Sequence, residues 1–174
     1  MAQNASLLNA RIVVQIQLES EMTKDQDSAV LDGYIADGRH YMRIRVYYED
    51  TDFTGLVYHA NYLRFMERGR SNYLRLLGAD QRALFAEAES EAPGFAFVVR
   101  SMQLDFLKPA HMDDVLDIVT RPLEVRGASI TLHQEVRRGD LLLLDARVKV
   151  AFISEGRAKP IPKPLRAVMK ADQV

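Results

Sequence analysis

The chain has 174 residues, 48% of them hydrophobic, which is one domain's length and enough to bury a sizeable core. Its 23 Lys and Arg residues nearly balance 24 Asp and Glu residues, so no global field draws it to nucleic acid or an anionic membrane. It contains no cysteine, which excludes disulfides, thiolate metal sites and cysteine nucleophiles.

Residues 1–38 mix short apolar pieces with Gln, Asn, Ser and acidic residues. The stretch reads as an N-terminal extension before a domain at 39–174, with a weak strand pattern at Arg11 to Leu18 and loop signals at Asp25 to Ser28 and Asp32-Gly33. Its apolar run Ile12-Val13-Val14 is shorter than the roughly 7–15 residues of a signal peptide or the about 20 of a membrane span. A cytoplasmic protein is expected.

From His40 the pattern sharpens. Met42, Ile44 and Val46 alternate with polar or aromatic neighbours, the mark of a half-buried strand. A polar loop follows from Glu49 to Thr54. Residues 60–77 then follow a helical period, with Tyr62, Phe65, Met66, Gly69, Tyr73, Leu76 and Leu77 on one face and Arg64, Arg68, Ser71 and Arg75 on the other. Gly69 on the apolar stripe lets the helix back approach a sheet closely, and Gly78 supplies a stop. A short helix is expected at about Asp80 to Glu89, ended by Pro93-Gly94.

Four further strands follow. Val98, Met102, Leu104 and Phe106 share parity in the first, interrupted by Arg100. Val115 to Val125 is the second. Ile130, Leu132 and Val136 mark the third, and Gly139-Asp140 signals a hairpin into the fourth, whose inward row runs from Leu142 to Phe152. Leu165 to Lys170 reads as a final turn or two of helix. The order predicts an α+β fold: about five antiparallel strands against one long helix. A single helix covers one sheet face, so the other is polar or meets another subunit.

The chemistry concentrates between strand and helix, from Tyr47 to Tyr62. Three acids fall within four residues, Glu49, Asp50 and Asp52, followed by Gly55 and a helix start. Free backbone N–H groups at a helix N-terminus stabilise a developing oxyanion. A carboxylate a few residues earlier activates water or attacks a carbonyl. Thioester hydrolysis needs that pair and little acid assistance, because the thiolate leaves readily. A loop or helix-capping role is the competing reading for each acid, and it suits Asp50 best.

The pattern Tyr48-x-x-x-Asp52-x-x-Gly55-x-Val57-Tyr58-His59-x-x-Tyr62 resembles the hot-dog thioesterases of the 4-hydroxybenzoyl-CoA thioesterase family, and within it the Tol-Pal system-associated acyl-CoA thioesterases. Phe97 to Met102, Lys108-Pro109-Ala110 and Arg126 to Ser129 agree in type, and the resemblance runs from about Tyr41 to Ala167. It implies a curved sheet wrapped around a long helix, homodimers that pair into homotetramers, an active site at a subunit interface and acyl-CoA as substrate. It also implies Asp52 as nucleophile or general base, Tyr48 and His59 as the other polar site residues, and the His59 backbone N–H as oxyanion donor. Tyr48 also shares parity with the inward residues of its strand, so core packing is its alternative role. Glu67 matters because other hot-dog thioesterases carry their carboxylate on the central helix, but it lies further from the oxyanion donors than Asp52.

Because CoA carries phosphates, basic residues must meet them. Lys108, Arg126, Arg137, Arg138, Arg157 and Lys159 are the candidates, and Arg126, Lys159 and the hydroxyl of Ser129 are preferred. No Gly-x-Ser-x-Gly elbow, P-loop or GxGxxG is present. The four histidines, His40, His59, His111 and His133, lack metal-ligand spacing, so neither a metal nor a cofactor beyond the substrate is expected. The rival functions are a hot-dog dehydratase of hydroxyacyl thioesters and a non-catalytic acyl-CoA-binding scaffold at the cell envelope.

Overall fold

The structure, a computed structural model, describes residues 31–80, 86 and 90–173. The strand pattern at Arg11 to Leu18 and nearly all of the helix expected at Asp80 to Glu89 lie outside them. Gly33 onward forms one compact unit. Strand β1 (Tyr34–Ala36) and β2 (Arg39–Arg45) precede a one-turn 3-10 helix at Tyr48–Asp50 and the long helix α1 (His59–Asp80). Then come β3 (Ala96–Phe106), β4 (Val115–Val125), β5 (Ser129–Arg138), β6 (Leu141–Ser154), β7 (Arg157–Ala158) and α2 (Lys163–Ala171).

The strands form one antiparallel sheet in the order β1-β2-β4-β5-β6-β3, with β7 also on β6. The five expected strands are present, and the sheet has seven. The two additions are short hairpin arms of three and two residues. Asp37-Gly38 joins β1 to β2 and Glu155-Gly156 joins β6 to β7, with all four residues at positive φ. Such two-residue turns match the twist of antiparallel strands, and Asp-Gly is their strongest sequence signal. Strand β1 therefore falls inside the stretch read as an extension.

The inner face carries the predicted rows except at Leu142, which a bulge at Leu143 takes out of the row to pair with Arg137. Ile118 of β4, Ile130, Leu132 and Val136 of β5, and Leu144, Ala146, Val148, Val150 and Phe152 of β6 are all buried. They pack with Tyr62, Phe65, Met66, Tyr73 and Leu77 of α1 in a single core. Strand β3 differs from expectation in one detail. Val99 pairs with Val150 and Ser101 with Lys149, so Arg100 is the extra residue of a β-bulge. A bulge reverses parity. Phe97 and Val99 therefore share a face with Met102, Leu104 and Phe106, and Val98 turns outward, 38% exposed. Helix α1 also runs past Gly78 to Asp80, because a glycine within a helix costs only about 1 kcal/mol and does not forbid it.

Gly69 has the role its position predicts. A Cβ there would lie 2.9 Å from Ile118 Cγ2 and 3.2 Å from Thr120 Oγ1. Beside it lies a buried polar network that the helical period does not announce. Gln134, fully buried in the inner row of β5, donates to the Met66 carbonyl at 3.0 Å and the Thr120 hydroxyl at 2.8 Å. It accepts from the buried Arg70 guanidinium at 2.6 Å, and Arg70 also pairs with Glu67. This network satisfies groups whose burial would otherwise be costly.

The outer face is the polar one. Arg43 pairs with Asp117 at 2.9 Å and Arg137 with Glu135 at 2.7 Å, while His133 lies 2.5 Å from Asp145. Helix α2 closes one end of the core with buried Leu165 and Met169, and the Tyr73 hydroxyl donates to Asp172 at 2.7 Å. That hydroxyl's pKa is pushed well above the ordinary tyrosine value, mainly by burial. Replacing Gly69 by Val is expected to destabilise the fold by about 1–3 kcal/mol through overpacking against Ile118. Urea unfolding monitored by circular dichroism measures this, and unchanged stability would contradict the close helix approach.

Candidate active site

Asp52 stands in a turn held by its own backbone. Its N–H donates to the Leu56 carbonyl at 2.8 Å, and its carbonyl accepts from the Gly55 N–H at 3.0 Å. Gly55 supplies the positive φ, +78°, that the turn requires. The carboxylate Oδ1 accepts from the Thr54 N–H at 2.8 Å and the Thr54 hydroxyl at 2.6 Å. The Thr54 hydroxyl first, and its backbone N–H second, hold the Asp52 carboxyl below the usual carboxylate range.

Asp50 has the structural role. Its Oδ2 accepts from the Tyr47 N–H at 2.9 Å. Its carbonyl accepts from the Tyr58 N–H and from the Asn61 side-chain amide, both at 2.9 Å. These bonds tie the 3-10 turn to the start of α1. The Asn61 N–H reaches back to the Tyr58 carbonyl at 2.8 Å, whereas the His59 and Ala60 N–H groups have no partner among the described residues. The helix therefore presents two open donors.

The connection between β3 and β4 forms the opposite wall. Val57 N–H donates to the Ala110 carbonyl at 2.9 Å, and Ala110 N–H donates to the Tyr62 hydroxyl at 2.8 Å. Burial, the largest influence, raises the Tyr62 pKa. Leu143, the extra residue of a bulge in β6, accepts from the N–H groups of Leu107 and Lys108 at 2.8 and 3.1 Å. Asp114 accepts from the His111 N–H at 2.9 Å and from Arg138 at 2.6 Å. Burial alone would raise the Asp114 carboxyl, but these bonds outweigh it and leave its pKa lowered.

Asp52, Leu56, Val57, His59, Tyr62, Phe106, Leu107, Lys108 and Pro109 line an open cleft of about 340 Å³. Asp52 and His59 are thus brought together, and the His59 ring lies 4.4 Å from that of Tyr58. Tyr48 is not brought in: it sits on the 3-10 turn and is 82% exposed, so it is not a core residue either. The chain leaves its strand after Arg45, and strand parity no longer governs position 48. Arg126, Ser129 and Lys159 come together elsewhere. Arg126 N–H donates to the Ser129 carbonyl at 2.8 Å, and Ile161 N–H to the Gly127 carbonyl at 2.7 Å. This cluster lies beyond Val125, whereas the cleft lies near Val115, about 30 Å away at strand rise. Lys108 is the cation that does line the cleft. Lys108 is thus the sequence-predicted cation that reaches the cleft, although Arg126 and Lys159 were preferred to it; Thr54 was not singled out, and an Asx-type bond from Asp to the residue two ahead was its available signal.

A second polar cluster lies on the outer face. Ligand atoms of His133, Glu135 and Asp145 fall within 4.8 Å of one another, which the spacing of the histidines does not reveal. Arg121 Nε donates to His133 Nδ1 at 3.3 Å and Arg137 pairs with Glu135, so guanidinium groups already engage these donors.

An antiparallel sheet around one long helix is the hot-dog fold, and in this chain a carboxylate loop feeds the helix start. The thioesterase superfamily model matches residues 54–144, and the chain belongs to that superfamily. It is 44% identical to the acyl-CoA thioesterase YbgC of Haemophilus influenzae over 126 residues, 71% of this chain and 89% of that one. It is 41% identical to the acyl-CoA thioester hydrolase YbgC of Escherichia coli O157:H7 over 130 residues, 73% of this chain and 92% of the other. The crystal structure of a probable thioesterase from Bartonella henselae superimposes with a TM-score of 0.59 at 38% identity, covering 71% and 98% of the two chains.

Tyr62→Phe removes the partner of the buried Ala110 N–H and is expected to cost about 1–3 kcal/mol. Urea unfolding reads this loss, and wild-type stability would show that the Tyr62–Ala110 bond does not brace the cleft.

Proposed function

We propose that this protein hydrolyses acyl-CoA to a carboxylic acid and CoA in the cleft between Asp52 and the start of α1. The observation that carries the reading is the shared placement of an ionised carboxylate and two open helix N-terminal N–H groups beside one cleft. The relatives named as acyl-CoA thioesterases support the same reaction.

The thioester oxygen accepts from the His59 N–H, where the helix dipole favours negative charge. Asp52 either takes a proton from water as water attacks the acyl carbon, or attacks that carbon itself. The C–S bond then breaks and the thiolate leaves. His59 orients or polarises the substrate. No metal and no cofactor beyond the substrate enters the reaction. Lys108 is the cation of this chain's own cleft. Arg126, Ser129 and Lys159 hold the CoA phosphates from a neighbouring subunit.

Strand β3 supports an oligomer. It is an eleven-residue edge strand with Val98, Val99 and Phe106 exposed, and long apolar edges need a partner. A homodimer that pairs into a homotetramer is our assignment, in the cytoplasm and associated with the Tol-Pal system. Among the described residues no helix is long and apolar enough to cross a membrane.

Asp52→Asn is expected to lower thiol release from acyl-CoA by at least roughly 100-fold with the fold intact, as for loss of a general base. Near-normal turnover would refute the assignment. His59→Ala is expected to lose less. A loss equal to that of Asp52→Asn would give His59 a direct catalytic role. Light scattering on the purified protein tests the oligomer, and a monomer at micromolar concentration would contradict it.

A further inference from the structure

The two oxygens of Asp52 are unequal. Oδ1 accepts two hydrogen bonds from Thr54, at 2.8 Å from the backbone and 2.6 Å from the hydroxyl. Oδ2 has no partner among the described residues. Two donors on one oxygen restrict rotation of the carboxylate, and the backbone of the same turn is held from Asp52 to Leu56. Resting on the thioesterase reading above, we infer that Thr54 is the positioning residue of the catalytic carboxylate: its hydroxyl holds Oδ1, so that Oδ2 is the oxygen that reacts.

The bond changes balance along either route. In the base route, Oδ2 takes a proton from water, the water oxygen bonds to the acyl carbon, and the C–S electron pair leaves with sulfur. The proton then passes to the thiolate. In the nucleophilic route, Oδ2 bonds to the acyl carbon, the thiolate leaves, and water cleaves the resulting anhydride. Both routes need the carboxylate ionised and turned with Oδ2 toward the cleft.

Other charged and titratable groups lie in the same loop or along the cleft. Glu49 and Asp50 belong to its own loop, His59 and Tyr62 come from α1, Lys108 from the β3–β4 connection, and His111 bridges Leu56. Removing the Thr54 hydroxyl changes none of these. The sign follows from the hydrogen bonds. Donors to the charged form favour it, and the Asp52 carboxyl is held low chiefly by this hydroxyl. Activity that needs the carboxylate therefore persists as pH falls toward that lowered pKa. Without the hydroxyl the acid limb of the profile moves to higher pH.

The test compares Thr54→Val, Thr54→Ser and Asp52→Asn in the full chain, measuring kcat and the pH dependence of kcat/KM with one acyl-CoA. Thr54→Val is expected to lower kcat roughly tenfold or more through lost orientation and to move the acid limb upward. Thr54→Ser is expected to restore both. A wild-type kcat and acid limb in Thr54→Val would overturn the inference, as would a Thr54→Ser profile matching that of Thr54→Val. If Asp52→Asn is inactive while Thr54→Val is normal, the Thr54 role alone fails. If Asp52→Asn stays active, the reading of Asp52 fails and the Thr54 role with it.

Discussion

Ala110, fully buried, binds the chain on both sides of the start of α1. Its carbonyl accepts from Val57 and its N–H donates to the Tyr62 hydroxyl. These two bonds span the point where the carboxylate loop becomes helix, and they fix that point to the β3–β4 connection. Everything in the cleft depends on it. The Asp52 turn hangs from one side, and Leu107 and Lys108 are held on the other by the Leu143 carbonyl. The helix N-terminus cannot drift from either wall without breaking a buried hydrogen bond, which costs more than the bond itself contributes.

The division of labour among the acids follows from what each one bonds. Asp50 spends its side chain and carbonyl on the backbone and on Asn61, and so builds the entry to α1. Asp114 is committed to His111 and Arg138 behind the cleft. Among the described residues the Asp52 side chain is bonded only through Oδ1, by Thr54 of its own loop, and it lines the cleft. A carboxylate held ionised next to open N–H donors suits attack on a carbonyl, because charge developing on the oxygen meets preorganised dipoles.

Much of this was legible in the sequence because period and turn chemistry are local. The alternation in β5 and β6, the stripe on α1 and the tight approach at Gly69 follow from spacing alone. What was not legible depends on contacts made across the fold. Arg100 marked an interruption in β3, but only pairing with β6 shows that the bulge turns Val98 outward and Phe97 inward. Nothing in the helical period marks Arg70, which is buried through its bond to Gln134, 64 residues away. Tyr48 kept strand parity on paper after the strand had ended. The Asp37-Gly38 turn is a local signal, but the three residues of β1 before it show no period of their own. Within the site, the motif located Asp52 and His59, whereas Lys108 enters through a carbonyl on a bulge in β6.

The central claim is that the thioester carbonyl sits at the start of α1 with Asp52 beside it. A crystal structure with an unreactive ketone analogue of acyl-CoA, in which a methylene separates sulfur from the carbonyl, tests this most directly. The account predicts the ketone oxygen within hydrogen-bond distance of the His59 N–H and Asp52 Oδ2 facing the carbonyl carbon. A ketone bound along the middle of α1 at Glu67, with Asp52 remote, would contradict it.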